Sequence, residues 1–261
     1  MQTLTSADGT TIAYVHAGTG PAVVFATGAF NDHTTCADVA ALLEKDHTVV
    51  TYDRRARGRS GDTAPYAIER EIEDLAAVID IAGGADGGAA VFGFSSGGNL
   101  ALAAAAAGVR ITHLALYEAP FALGTLPARP ADLPQRLAAL IADGRPDDAV
   151  ALFQTEGVGI PAPLVEQFRS SPGWASLVAI AQSTVYDATI TSVLGVPTEA
   201  MRAVDVPTVV ITGAQTWPGL PESAAALAAL LPRARHVVVP GGADHGIPPE
   251  ATATVVRDLL A

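Results

Sequence analysis

The chain of 261 residues has one cysteine, Cys36, so it holds no internal disulfide and no cysteine-rich metal site. Basic residues are scarce: 15 lysines and arginines stand against 27 aspartates and glutamates, a formal net charge of −12. That balance repels phosphate backbones and anionic membranes at long range, which argues against a nucleic-acid partner and against membrane binding. Long apolar runs are also missing. Mean hydropathy is positive at +0.33, yet the apolar stretches are strand-sized or broken by glycine and polar residues, short of the ~18–20 residues that span a bilayer. Met1-Gln2-Thr3-Leu4-Thr5-Ser6 has no basic segment followed by an apolar one, so no secretory leader is read there and the expected location is cytoplasmic. The one basic cluster, Asp53 to Ser60, has four arginines in seven residues. It lacks aromatic or basic support nearby and reads as a solvated, ion-paired loop.

What remains is apolar and ordered: 49% of residues are hydrophobic, enough for a large core in one α/β domain. Short apolar or β-branched runs recur at Ala22–Ala26, Thr48–Tyr52, Ala89–Phe92, Leu114–Tyr117, Thr208–Thr212 and His236–Val239, as strands covered on both faces do. Thr11–His16 alternates like a half-buried strand near an edge. Helical spacing lies between them at Ile68–Ile81, Asn99–Ala107, Pro221–Leu231 and Pro249–Leu260. The alternation predicts a mostly parallel sheet flanked by helices. Residues 121–204 break the rhythm with several prolines, three helical patterns and no convincing strand. They are read as a helical lid inserted into a core made of 1–120 and 205–261, lying over the carboxyl ends of the strands where such sheets bind ligands.

Gly93-Phe94-Ser95-Ser96-Gly97-Gly98 sits between the strand Ala89–Phe92 and the helical run from Asn99. A serine on a sharp strand-to-helix turn needs small neighbours two residues away on each side, and glycine supplies them. The side chain then projects above the sheet at a helix N-terminus, where free N–H groups favour negative charge. Ser95 is the candidate nucleophile, and the Ser96 amide a candidate oxyanion donor. The Ser96 hydroxyl is a rival nucleophile with the wrong spacing from the glycines.

Gly241-Gly242-Ala243-Asp244-His245-Gly246 follows the last strand and precedes the last helix. A histidine there can take a serine proton and return it to a leaving group, so His245 is the candidate base. His47, His113 and His236 stand at strand starts, His16 on an outer strand, and His33 is near enough to the site to be a substrate-contact candidate. Thr27-Gly28-Ala29-Phe30 follows the strand Ala22–Ala26 and can aim the amide of Gly28 or Ala29 at a developing oxyanion. Phe30 is a further substrate-binding candidate. Glu118 directly follows an apolar strand and emerges at the same sheet edge as Ser95. It is the candidate acid that orients His245, with Glu222 and Asp205 as lesser alternatives; Asp244 is too close in sequence to the histidine to orient it easily.

These motifs resemble the α/β-hydrolase superfamily over essentially the whole chain. Gly93–Gly97 is similar to its nucleophile elbow, Asp53–Ser60 to its D-x-R-G-x-G-x-S loop, and Gly241–His245 to its histidine loop. The resemblance implies an α/β-hydrolase fold with about eight strands. The superfamily's usual aspartate would stand at Thr216, in Gly213-Ala214-Gln215-Thr216, where threonine cannot accept an imidazolium's charge. Within the superfamily, the zearalenone lactonases resemble this chain in a Ser-Ser-Gly elbow, a glutamate after the next strand followed closely by proline, and a Gly-Ala-x-Thr turn. Pro172-Gly173-Trp174-Ala175 resembles their lid motif, and that resemblance implies Trp174 as a pocket residue. The resulting expectation is a serine hydrolase acting on a small-molecule apolar ester or lactone, with a macrolactone among the candidates, as a monomer or homodimer, with no metal and no cofactor. The alternatives are C–C bond hydrolysis or a lyase or cyclase step with the same triad, or a ligand receptor built on a hydrolase pocket.

Overall fold

In the central strands successive residues are all apolar, so both faces of the sheet must be covered. In a computed structural model that describes residues 1–83 and 87–261, they are. The strands are β1 (Gln2–Thr5), β2 (Thr11–Ala17), β3 (Ala22–Ala26), β4 (Thr48–Tyr52), β5 (Ala89–Phe94), β6 (Ile111–Tyr117), β7 (Thr208–Gln215) and β8 (Ala234–Ala243). They form one eight-stranded sheet ordered β1-β2-β4-β3-β5-β6-β7-β8. β1 pairs antiparallel with β2, and β2 with β4; every other pairing is parallel. The expected α/β-hydrolase fold is present. β1 has no counterpart in the strands read from sequence, because its four residues are mostly exposed and carry no apolar run.

The helices are α1 (Ala37–Leu43), α2 (Ile68–Gly83), α3 (Ser96–Ala106), α4 (Leu133–Ala142), α5 (Pro146–Leu152), α6 (Ala162–Arg169), α7 (Trp174–Ala179), α8 (Gln182–Val193), α9 (Glu199–Arg202), α10 (Leu220–Leu230) and α11 (Pro249–Leu260). Alternation along each strand divides the core in two. Val24, Val50, Val91 and Leu116 pack under α2, α3 and α10, while Val23, Phe25, Phe92 and Val209 pack under α1 and α11. No helix among the described residues is long and apolar enough to cross a membrane.

Between β6 and β7 the chain forms six short helices, α4 to α9, and a π-helical turn at Phe153–Val158. Three helical patterns were read there; prolines in the first turns of α4, α5 and α6 divide the segment more finely. Two small apolar clusters hold the insertion together, one around Leu137, Phe153 and Ala188, the other around Val150, Val165 and Trp174.

The arginine-rich loop corrects the sequence reading: it is ion-paired, but it is not solvated. Arg54, Arg55 and Arg57 are buried to within 1% of full exclusion. Arg54 makes a two-pronged contact with Glu71 of α2, at 2.7 Å on both sides, and Arg55 does the same with Asp74, at 2.7 and 2.9 Å. Arg54 and Arg57 also meet opposite oxygens of Asp187 in α8, at 2.9 and 2.5 Å. A loop of the core is thereby clamped to the insertion. Planar guanidinium groups suit such paired contacts, and at this depth neither sign can be left alone.

Burial pushes the Asp187 carboxyl up, but Arg57, Arg54 and the Ser96 hydroxyl outweigh it and hold the group below the usual aspartate range. A depressed acid stabilises the fold above its unfolded-state pKa and loses that contribution as pH falls through the folded value. Asp187→Ala is expected to cost about 3–5 kcal/mol in urea unfolding at pH 7, because it takes the close carboxylate from buried Arg57, while Arg54 keeps only Glu71. The gap to the parent should narrow in acid.

Candidate active site

β5 runs straight into α3 with Ser95 as the hinge. Its backbone has φ 54° and ψ −130°, and its N–H donates to the Tyr117 carbonyl of the neighbouring strand at 3.0 Å. The flanking glycines are sterically required. A Cβ at Gly97 would stand 2.1 Å from the Ala26 carbonyl oxygen, and one at Gly93 would stand 2.6 Å from Gly98 Cα. Gly28 is pressed against the serine itself, since a Cβ there would fall 2.6 Å from Ser95 Cβ. That contact brings the turn after β3 to Ser95.

Glu118 follows β6 and is 1% exposed. Both carboxylate oxygens are used: Oε1 accepts the Gly213 N–H at 2.8 Å, and Oε2 lies 2.5 Å from His245 Nδ1. β7 and β8 remain paired up to Gln215 and Ala243, beyond the ends read from sequence, and this carries the histidine loop to the same edge. The facing glycines permit it, because a Cβ at Gly213 would meet the Gly242 carbonyl oxygen at 2.5 Å. Tyr117 Oη secures the loop from below by donating to the Gly246 carbonyl at 2.7 Å. The imidazole lies between Trp217, stacked at 4.8 Å and 18°, and Phe94, at 4.8 Å and 31°.

Backbone strain is concentrated here. Six non-glycine residues have positive φ among the described residues, and Phe30, Ser95, Glu118, Asp244 and His245 are five of them. Such conformations cost about 1–3 kcal/mol each and persist only where the surroundings dictate them.

Ser95, Ser96, Ala29 and His245 line one cavity of ≈ 100 Å³ with Phe153, Arg129 and Trp217. Ser95 and His245 line the same cavity, but among the described residues the Ser95 hydroxyl and His245 Nε2 are not hydrogen-bonded to each other or to another group. Among the described residues the Ala29 amide has no acceptor, and the Ser96 amide opens α3, where the first N–H groups have no intrahelical partner. The Ser96 hydroxyl is occupied, donating to Asp187 at 2.7 Å. Burial pushes the Cys36 thiol up to about 12, so it is no rival nucleophile.

The Alpha/beta hydrolase family model matches residues 15–258. The chain belongs to that family. It is 44% identical to an alpha/beta hydrolase from Sphaerobacter thermophilus, covering 100% of both chains at a TM-score of 0.90. It shares its fold with an enol-lactonase from Burkholderia xenovorans, at 22% identity over 99% of both chains and a TM-score of 0.69. It is also 29% identical over 237 residues to the polyketide synthase ThaQ of Burkholderia thailandensis, covering 88% of this chain but 11% of that protein's length.

Several expected site residues of this alpha/beta hydrolase lie elsewhere. Trp174 is in the insertion's own core, 4% exposed, edge-on to Phe168 and donating from Nε1 to Asp147 at 2.7 Å. His33 does not line the cavity of Ser95. Its Nδ1 and backbone N–H both lie 2.8 Å from Asp53 Oδ1, and it borders a separate groove beside β2 and α1. Phe30 packs edge-on against Phe153 at 5.5 Å, behind the cavity wall. Among the alternative acids, Glu222 and Asp205 are exposed and Asp244 borders the groove outside the cavity. Trp217, absent from the sequence candidates, follows directly on the turn where the usual aspartate is missing; only that adjacency could have marked it.

Glu118→Gln keeps the shape but removes the charge behind the imidazole, and kcat for an activated ester is expected to fall about 10³–10⁴-fold. Trp174→Ala should instead lower unfolding stability by about 3–5 kcal/mol, in line with truncation of a buried aromatic. Relative kcat/KM across an ester panel should stay the same.

Proposed function

We propose that the protein is a serine hydrolase that cleaves a carboxylic ester or lactone through an acyl-enzyme on Ser95. The observation that carries this reading is the 2.5 Å contact between Glu118 and His245 Nδ1 at a cavity that Ser95 also lines. With its Nδ1–H donated to Glu118, the imidazole keeps an Nε2 lone pair to accept the Ser95 proton. Ser95 Oγ attacks the carbonyl carbon, and the amides of Ala29 and Ser96 receive the oxyanion. His245 passes its proton to the departing alkoxide. It then deprotonates water, which releases the acid and restores the serine.

The cavity's size bears on the substrate. At ≈ 100 Å³ it is smaller than the ~150 Å³ engineered cavity that admits benzene. A groove of ≈ 540 Å³ continues from it past Val158, Trp217 and Pro218 to Ile160, Leu164 and Asp244. This groove adjoins the His245 loop, and the leaving oxygen must lie next to His245. The reading therefore assigns the acyl portion to the cavity and a larger, apolar alcohol portion to the groove. A macrolactone of zearalenone type would have to span both.

Intact-mass analysis during turnover of 4-nitrophenyl acetate should detect a +42 Da adduct, about the mass of one acetyl group, on Ser95. Ser95→Ala should lose the adduct and at least ~10³-fold of the rate. Retention of parental activity by Ser95→Ala would remove the serine from the mechanism.

A further inference from the structure

We infer that Arg129 binds a carboxylate carried by the substrate's acyl arm, so that the preferred substrate is a monoester or lactone of a short dicarboxylic acid. The inference rests on the hydrolase reading of the same cavity and adds a charge requirement to it.

Arg129 lies on the stretch between β6 and α4 and lines the cavity together with Ser95 and His245. Its Nε is fully buried and has no hydrogen-bond partner, and no carboxylate lies within ion-pair distance of its guanidinium among the described residues. Desolvation holds its pKa below the usual arginine range. The other buried arginines are treated differently: Arg54, Arg55 and Arg57 each meet at least one carboxylate. Among the exposed arginines, Arg110, Arg136 and Arg257 are paired with Asp80, Glu156 and Asp46, while Arg59, Arg202, Arg233 and Arg235 lack a carboxylate among the described residues and are solvated; Arg129 alone of the unpaired ones lines the cavity of Ser95 and His245. In a chain with 27 acidic and 15 basic residues, acids to pair with Arg129 are plentiful. The catalytic cavity nonetheless keeps an unpaired cation.

Withdrawing a charge from water without a partner is costly, and a ligand that brings the missing acceptor recovers that cost. Guanidinium presents a planar fork that matches the two oxygens of a carboxylate. The rest of the wall is mainly apolar, with Pro120, Leu126, Phe153 and Leu220. It can pack a short methylene spacer but offers no other cation for an anion. The ≈ 100 Å³ volume limits that spacer to a few carbons. The substrate is thus anionic at its acyl end and apolar at its alcohol end, not apolar throughout.

Two measurements test this. In the first, kcat/KM is compared for monohexyl succinate and hexyl 4-methylpentanoate, which share an alcohol and nearly share an acyl shape but differ in charge. The parent is expected to favour the succinate at least tenfold. Arg129→Gln should lower that ratio about 10–100-fold, the scale of one charge-assisted hydrogen bond, and Arg129→Lys should restore part of it. A parent without the preference, or a ratio unchanged in Arg129→Gln, overturns the inference; an equal loss on both esters assigns Arg129 to the fold or to the oxyanion instead.

In the second, ligand-observed NMR follows free succinate binding to Ser95→Ala, where no turnover is needed. Saturable binding that disappears when Arg129→Gln is added supports the site even if neither ester is hydrolysed, the result that would defeat the esterase reading alone. Absence of succinate binding overturns the inference whatever the enzyme hydrolyses.

Discussion

The short contact between Glu118 and His245 is the constraint around which the functional edge of the sheet is arranged. A carboxylate with no exposed surface needs acceptors filled on both oxygens, and here one is filled by the Gly213 amide and the other by the imidazole. That amide comes from near the carboxyl end of β7 (Thr208–Gln215). To supply the imidazole, β8 must run on beside it, which the Gly213–Gly242 contact allows. Left-handed backbone at Glu118 and His245 is a local cost of this arrangement, offset by the Phe94 and Trp217 contacts with the ring and by the Tyr117 hydrogen bond to the Gly246 carbonyl.

A second buried electrostatic assembly ties this edge to the insertion. Asp187 of α8 accepts from Arg54, Arg57 and the Ser96 hydroxyl, and Arg54 also donates to the Thr27 carbonyl at 3.0 Å. Ser96 and Thr27 flank the two segments whose amides converge on the cavity. Thus the ion pairs that hold the insertion down also fix the backbone that lines the cavity. Charges so deep gain little net stability from pairing, but their directional bonds exclude alternative placements of α8.

Much of this was legible from local pattern. The elbow glycines, the strand preceding Ser95, the histidine loop and a glutamate at the end of an apolar strand are all short-range signals, and steric or electrostatic arguments attach to each. The sheet followed from alternation of apolar runs and helical spacing. What escaped was long-range. Asp187 lies 130 residues from Arg57, so nothing near either residue announces that the arginine cluster is buried. Trp174 and His33 carry chemistry suited to a pocket, yet each is satisfied by a nearby carboxylate, Asp147 and Asp53. Arg129 has no local motif at all; only the shape of the cavity and the absence of a partner single it out.

The central claim is that the carboxylate of Glu118 fixes the histidine tautomer, leaving Nε2 free to take a proton from Ser95. Nitrogen-15 NMR of histidine-labelled protein at pH 8 reads this directly, with the His245 signals assigned by a His245→Gln control. The account expects neutral His245 to carry its proton on Nδ1, with Nε2 at the shift of an unprotonated ring nitrogen. A proton on Nε2, with Nδ1 bare toward Glu118, would contradict it.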